Sequence, residues 1–195
     1  MFQGIGAIIG STYSSSSINY TTWNPADKSA DITLSISNTK AESTSAASAY
    51  QVRSTVSKSS GKWYWETTFV RNTNTDPFYF VGGISEGSES LANYTGSSAG
   101  VSATTDGQVW EDGASTANIG AWTDGDVAGF ALDLTGGSET LKIYRNNSLL
   151  TTRTINAGTY YAGCGTYQTL GYTIANFGAT AMVYTAPSGY NQGLY

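Results

Sequence analysis

Residues 121–147 read AWTDGDVAGFALDLTGGSETLKIYRNN and contain the most regular pattern of this 195-residue sequence. Apolar side chains occupy every second position in residues 128–134 and again in residues 141–143, which is the period of a β-strand with one buried face. Gly136-Gly137 lies between the two segments, and glycine supplies the positive φ angles of a tight connection. The stretch therefore predicts a β-hairpin, with Asn146-Asn147 as the turn that follows it.

Short alternating segments recur along the rest of the chain, separated by turns. Residues 31–37 place Ile32, Leu34 and Ile36 on one face, and residues 62–70 do the same with Trp63, Trp65, Thr67 and Phe69. About a dozen such strands without an internal repeat predict an all-β fold, a two-sheet antiparallel β-sandwich, because each strand needs a second layer to cover its buried face. Further strands are predicted at residues 50–56, 78–84, 100–104, 108–110, 149–155, 160–164 and 172–177, and a turn at residues 24–27.

Composition narrows the classes of partner. Charged residues make up 12% of the chain, about half the usual share, and the formal charge is −5. The nine Lys and Arg residues are scattered singly, so we predict no nucleic-acid partner. No stretch approaches the roughly 20 apolar residues of a membrane helix, so we predict no membrane insertion.

The sequence contains no histidine, which excludes the Ser-His-Asp triad, imidazole metal ligands and histidine general bases. The single cysteine, Cys164, has no partner for an internal disulfide. Without a nearby base it is better interpreted as a small buried apolar residue than as a nucleophile. We predict no catalytic residue, no metal site and no cofactor.

The first 20 residues differ from the rest of the chain. Phe2, Ile5, Ile8 and Ile9 alternate with glycines, and a serine run follows. A frayed terminus and a docking arm are both compatible with this composition, since apolar residues on a Gly/Ser arm can add to another chain's sheet or groove. We divide the chain into a docking arm at residues 1–20, a sandwich at residues 21–189 and a C-terminal tail at residues 190–195.

Five segments, in order along the chain, resemble motifs of SPRY (B30.2-like) domains. Together they cover most of the chain from Trp23 to Gly189. The five are residues 61–66 (GKWYWE), which resemble G-x-x-Y-W-E; residues 81–84 (VGGI), which resemble V-G-I with an extra Gly that indicates a bulge; residues 106–113 (DGQVWEDG), which resemble D-G-x-x-x-x-x-G; the hairpin of residues 125–146; and residues 176–187, which resemble N-F-G … F-x-Y-x-P-P.

This resemblance implies a concanavalin-like jelly-roll sandwich that serves as a binding module, with partner specificity in its loops. Asn147 stands where the family usually has Gly, and Asn is the best substitute at a positive φ angle. The composition of the chain, which is rich in Ser, Thr, Gly and Tyr, also resembles that of SPRY-like modules in structural proteins of tailed bacteriophages. That likeness implies a virion location, with other virion proteins as partners.

Four aromatic residues lie in or near predicted loops or turns, namely Tyr79, Tyr94, Trp110 and Trp122, and the first three are candidate ligand contacts. Exposed aromatic rings stack on sugars or fill protein pockets, although each of these rings could instead pack in the core. Glu111 and Asp112 beside Trp110 could accept hydrogen bonds from sugar hydroxyls. A solvated turn is the simpler interpretation, because two carboxylates are too few oxygens for calcium.

Three functions follow from these observations. The first is a non-enzymatic virion protein, a fibre, adhesin or capsid decoration module that forms homo-oligomers and binds other virion subunits and a host-surface glycan or protein. The second is an intracellular protein-interaction module. The third is a glycoside hydrolase that would use Glu66 with Asp133 or Glu111, although Glu66 is more simply a structural residue of the family motif.

Overall fold

The structure, a computed structural model, describes residues 20–44, 49–71, 80–167 and 171–195. These residues form β-strands and no helix, so no helix among them could span a membrane. The strands are β1 (Trp23–Lys28), β2 (Ile32–Ser35), β3 (Lys40–Ser43), β4 (Ala49–Lys58), β5 (Gly61–Arg71), β6 (Phe80–Glu86), β7 (Gly100–Thr104), β8 (Gln108–Glu111), β9 (Ala114–Asn118), β10 (Val127–Leu134), β11 (Glu139–Arg145), β12 (Ser148–Ile155), β13 (Tyr160–Tyr167), β14 (Gly171–Asn176) and β15 (Asn191–Gln192).

The strands form two sheets that pack face to face. The first sheet has seven strands in the order β1-β4-β13-β6-β7-β8-β9, and the second has the order β12-β11-β10-β5-β14-β3-β2, with β15 beside β5. Neighbouring strands are antiparallel, except that β15 runs parallel to β5. The predicted all-β, two-sheet antiparallel sandwich is therefore confirmed.

The hairpin predicted for residues 121–147 is formed by β10 and β11 of the second sheet. β10 pairs with β11 on one side and with β5 on the other, and Phe130 lies opposite both Ile143 and Trp65. The rings of Trp65 and Phe130 stack with centroids 5.5 Å apart inside the core. At the next turn Asn146 and Asn147 have φ angles of 47° and 69°, so asparagine does replace glycine at a left-handed position there.

Two local expectations are wrong. Ile36 is predicted on a buried face, but β2 ends at Ser35, and residues 36–38 have positive φ angles that turn the chain back. The Ile36 side chain is consequently 62% exposed. Residues 24–27 are predicted as a turn, yet they lie within β1, where the pairing with β4 shifts register and the extra residues bulge outward.

The structure describes the predicted C-terminal tail but only the last residue of the predicted docking arm. Residues 1–19, including Phe2, Ile5, Ile8 and Ile9, lie outside the described part. At the other end β15 pairs with β5, and Leu194 is buried in the core. The Leu194 amide donates to the Phe177 carbonyl at 3.0 Å, and the Leu194 carbonyl accepts from the Thr21 amide at 3.2 Å. Residues 191–194 are thus part of the sandwich.

A β-bulge at Gly82 connects the two sheets. The pairing of β6 with β7 shifts register between Phe80 and Gly82, and Gly82 has a φ of 146°. The Val81 carbonyl accepts a 2.8 Å hydrogen bond from the Thr67 hydroxyl of the opposite sheet. The bulge predicted from the doubled glycine is confirmed. The bulge leaves the buried Val81 carbonyl without a partner in the neighbouring strand, and the Thr67 hydroxyl supplies its hydrogen bond.

The middle of the outer face of the second sheet is covered by residues 178–190, here called the C-terminal cover. Glu66 points outward from β5 but is only 1% exposed. Its carboxylate accepts the Val183 amide at 2.7 Å, the Tyr184 amide at 2.8 Å and the Tyr64 hydroxyl at 3.0 Å. Ala131 on the same face is also fully buried. One carboxylate therefore anchors the cover to the sheet.

The outer face of the first sheet is covered in a similar way by residues 87–99, here called the β6–β7 loop. Glu89 of this loop is 2% exposed. Its carboxylate accepts the Ser85 hydroxyl at 2.7 Å, the Ser98 amide at 3.0 Å and the Ser97 hydroxyl at 3.1 Å. The Arg53 guanidinium donates to the Glu89 carbonyl at 2.8 Å. The loop is therefore a folded layer rather than an open connection.

We expect Gly83→Ala to destabilise the protein by about 3 kcal/mol, because an added Cβ would overlap the backbone carbonyl of Val101 in the neighbouring strand. Gly87→Ala is the matched control, since its Cβ would meet only the Tyr161 ring at 3.6 Å. Urea unfolding followed by tryptophan fluorescence measures both. A Gly83→Ala protein as stable as the control would contradict the close approach of β6 and β7.

We expect Glu66→Gln to lower the free energy of unfolding by about 2 kcal/mol or more. In either orientation of the new side-chain amide, its NH2 group faces a backbone N–H of the cover or the Tyr64 hydroxyl, so that a donor meets a donor. Hydrogen exchange should accelerate selectively at the amides of Val183 and Tyr184. Glu42→Gln, which removes a surface ion pair with Lys40, should change stability by less than about 1 kcal/mol. Unaltered exchange at both amides in Glu66→Gln would disprove the anchoring role.

Candidate functional site

A cleft opens at one end of the sandwich, where strands of both sheets terminate. It has a volume of about 70 Å³ and is lined from the first sheet by Glu86, Glu111 and Asp112, and from the second by residues 154–156. A wider groove of about 310 Å³ adjoins it and shares residues 154–156 with it. The two together, here called the end groove, form one concave surface to which both sheets contribute.

Negative charge dominates the end groove. The Tyr160 hydroxyl donates to the Asn156 carbonyl at 2.9 Å. Burial, followed by the charges of Glu86, Glu139, Asp112 and Glu111, raises the pKa of Tyr160 to about 12. The phenol is therefore neutral at physiological pH, and its proton points at a backbone carbonyl rather than into the groove.

The carboxylates of the end groove have different partners. Glu111 binds the Arg153 guanidinium of the opposite sheet, with contacts of 2.6 and 3.1 Å. Asp112 lies in the β8–β9 turn at a φ of 49° and accepts the Gly100 amide at 3.2 Å. The Oε2 atom of Glu139 is buried without a hydrogen-bond partner in the described part of the chain. Arg153 is thus committed to Glu111, while other groove carboxylates keep acceptor capacity.

Of the predicted aromatic contacts, Trp110 and Tyr94 lie beside the end groove rather than inside it. Trp110 alternates with Val109 and Glu111 along β8, so its ring is on the outer face of the first sheet while Glu111 reaches toward the second. The Tyr94 ring, from the β6–β7 loop, packs edge-on against Trp110 with centroids 5.5 Å apart. Both rings are half-buried. Tyr79 lies outside the described residues, and ligand binding at this set stays a prediction.

The carboxylates considered for glycoside hydrolysis are not brought together. Asp133 pairs with Lys62 at 2.7 Å, four positions from Glu66 along β5. That spacing corresponds to about 13 Å, whereas glycosidase pairs are about 5–10 Å apart. Burial alone would raise the pKa of Asp133, but hydrogen bonds from Lys62 and Thr135 and the charge of Lys62 hold it below its usual value. Glu66 anchors the C-terminal cover, and Glu111 belongs to the other sheet.

Other chemistry is equally unsupported in the described residues. Cys164 is fully buried, as the sequence predicts, and burial raises the pKa of its thiol to about 12. A thiol in that environment is not a nucleophile at neutral pH. No group of three or more His, Cys, Asp or Glu side chains within residues 20–44, 49–71, 80–167 and 171–195 is arranged to hold a metal ion.

Several residues of the end groove are not predicted from the sequence. Glu86, Glu139 and Tyr160 begin or end strands that are far apart along the chain. The turn residues Asn156, Ala157 and Gly158 do signal a loop at one wall of the groove. Nothing in the sequence indicates that this loop lies beside Asp112, because that proximity depends on how the two sheets pack.

No family model and no curated protein matches this chain. Solved structures do match. The SPRY domain of human HERC1 superposes with a TM-score of 0.67 at 13% identity, covering 82% of this chain and 99% of that domain. The TRIM65 PSpry domain gives 0.63 at 17% identity, covering 80% and 89%. Stonustoxin gives 0.57 at 20% identity, covering 80% of this chain and 27% of that chain.

These similarities show that the chain has the fold of SPRY domains. They confirm the resemblance inferred from the five sequence motifs at the level of the fold. Identities of 12–20% among the matching structures carry no information on ligands or partners.

Proposed function

We propose that this chain is a non-enzymatic binding module that recognises a segment of a partner protein in the end groove. The observation that carries the proposal is the shape of the sandwich. The C-terminal cover and the β6–β7 loop occupy the middle of the outer faces of the two sheets. The end groove, at one end of the sandwich, is a concave surface to which both sheets contribute. A rigid scaffold that presents such a surface between loops suits recognition of an extended segment.

Charge and size favour a partner segment with a basic side chain. Glu86 and Asp112 line the narrow cleft, and Glu139 lines the adjoining wider part. Arg153 does not balance them, since it is paired with Glu111. A cleft of about 70 Å³ fits the end of one Lys or Arg side chain, and the wider part fits the residues that flank it.

A display library of random twelve-residue peptides tests this proposal. We expect selection on the intact protein to enrich peptides with Lys or Arg, and synthetic copies of them to bind with micromolar dissociation constants. The double substitution Glu86→Gln with Asp112→Asn should weaken their binding at least about tenfold, because it removes both carboxylates from the narrow cleft. Isothermal titration calorimetry measures the difference.

The matched control removes two carboxylates elsewhere, Glu42→Gln with Asp31→Asn, and should bind like the unaltered protein. Both double variants should keep the same near-ultraviolet circular dichroism spectrum, which separates lost binding from lost folding. Equal weakening in the control, or enrichment of peptides without basic residues, would contradict the assignment of the groove.

We also propose that the module is part of a bacteriophage particle, as a fibre, adhesin or capsid decoration protein. The support is compositional: a chain rich in Ser, Thr, Gly and Tyr, with no histidine and one cysteine, resembles SPRY-like modules of tailed phages. Other virion proteins and a host-surface glycan or protein are its proposed partners. The half-buried Tyr94–Trp110 pair offers aromatic surface for such a ligand.

Immunogold electron microscopy of purified particles from cells that carry this gene tests the virion role. An antibody raised against the purified chain should label one fixed location on each particle, and mass spectrometry of the particles should detect the chain. Pre-adsorbing the antibody with the purified chain is the control. Recovery of the chain from the cell extract and never from particles would rule out this role, without bearing on the end groove.

A further inference from the structure

The sandwich protects the strand edges on one of its two flanks. On that flank β1 is outermost in the first sheet and β2 in the second. β1 contains Pro25 and a register shift, which are devices that prevent the addition of a further strand. β2 has four residues, and the Lys28 ammonium donates to the Ile32 carbonyl at 2.6 Å. Neither edge is a continuous template for strand pairing.

The opposite flank has fewer of these devices, because its outermost strands β9 and β12 contain no Pro or Lys, although each of them also pairs with its neighbour across a register shift. There β12 is the outermost strand of the second sheet, and within the described part of the chain nothing pairs with its outer edge. β12 has eight residues and contains no Pro, Gly or Lys. Its one charge, Arg153, is turned inward to Glu111. Leu149 is 53% exposed and Thr152 is exposed as well. Beyond the register shift at Leu150, residues 151–155 pair regularly with β11, and this stretch without an outward charge favours pairing with another strand.

The chain also contains a neutral segment of suitable composition. Residues 1–19 carry no charged side chain, and their first ten residues include Phe2, Ile5, Ile8 and Ile9. The described chain begins at the protected flank, since the Thr55 amide donates to the Thr22 carbonyl at 2.8 Å beside β1. Nineteen residues span up to about 60 Å when extended, which is enough to reach a neighbouring molecule.

We propose that residues 2–9 of one molecule add as a β-strand to the outer edge of β12 in a second copy of this chain. Residues 2–9 carry no charge and Arg153 of β12 is paired with Glu111, so the two segments meet without charge repulsion, and backbone hydrogen bonds satisfy the open edge. The donor segment and the acceptor edge belong to opposite flanks, so the contact is head-to-tail. Repetition of a head-to-tail contact produces a ring or a filament rather than a two-fold dimer.

Two variants of the 195-residue chain test this directly. The arm variant carries Ile5→Lys and Ile9→Lys, and the edge variant carries Leu149→Lys and Thr152→Lys. We expect the unaltered chain to form oligomers in sedimentation velocity runs at rising concentration, and each variant by itself to be monomeric. An equimolar mixture should form a one-to-one dimer of twice the monomer mass, because the edge variant supplies an intact arm and the arm variant an intact edge.

The matched control is Val183→Lys with Thr185→Lys, which places the same charges on an exposed valine and an exposed threonine of the C-terminal cover. It should form oligomers like the unaltered chain. All variants should keep the same thermal midpoint, so that loss of assembly is not loss of folding. The end groove shares Thr154 and Ile155 with β12, but the edge variant changes neither residue, so failure here leaves the peptide-binding proposal unaffected.

Three outcomes would overturn the inference. An unaltered chain that stays monomeric at every concentration means that no second copy occupies β12. Oligomers that persist in the edge variant place the contact elsewhere. An arm variant that still dimerises while the edge variant does not would indicate that two β12 edges pair with one another around a two-fold axis.

Discussion

The buried carboxylate of Glu66 is the interaction on which most of this fold depends. It lies in β5, which pairs with β10, β14 and β15 and connects the central strands of the second sheet. A carboxylate can be buried only when donors surround it, and here two backbone amides and a tyrosine hydroxyl do so. Those donors belong largely to the C-terminal cover, so satisfying one side chain also directs the last part of the chain across the sheet and brings Leu194 into the core.

Glu89 repeats this arrangement on the other sheet, and the pair explains where a partner can bind. Each glutamate gathers hydroxyl or amide donors and thereby turns a connecting segment into a packed outer layer. Each sheet is then covered over part of its outer face, and the concave surface that both sheets share in the described part of the chain is at the end of the sandwich. The acidic character of that surface arises separately, because Glu86, Asp112 and Glu139 end or begin strands there while Arg153 is committed to Glu111.

Local sequence patterns were most informative where a residue's role depends on its immediate neighbours. The alternation in residues 128–134, the bulge at Gly82 and the left-handed Asn147 all follow from backbone geometry that the residue type itself prefers, and the structure agrees with each. Ile36 is not buried because β2 ends at Ser35, whereas the predicted strand runs to residue 37, two residues past the point where the chain turns. β9 and β15 were not predicted, since their polar residues form strands by pairing with neighbours rather than by burying a face.

By itself, the sequence determined that the chain is an all-β sandwich with a hairpin at residues 127–145, because strand periodicity and turn chemistry are local properties. It also determined that histidine chemistry is absent and that most of its few charges are isolated. The tertiary structure decided which carboxylates are anchors and which face a groove, and which sheet edges are protected. Those roles depend on what lies opposite each side chain across the two sheets, and residues such as Glu66 and Val183 are separated by more than a hundred positions along the chain.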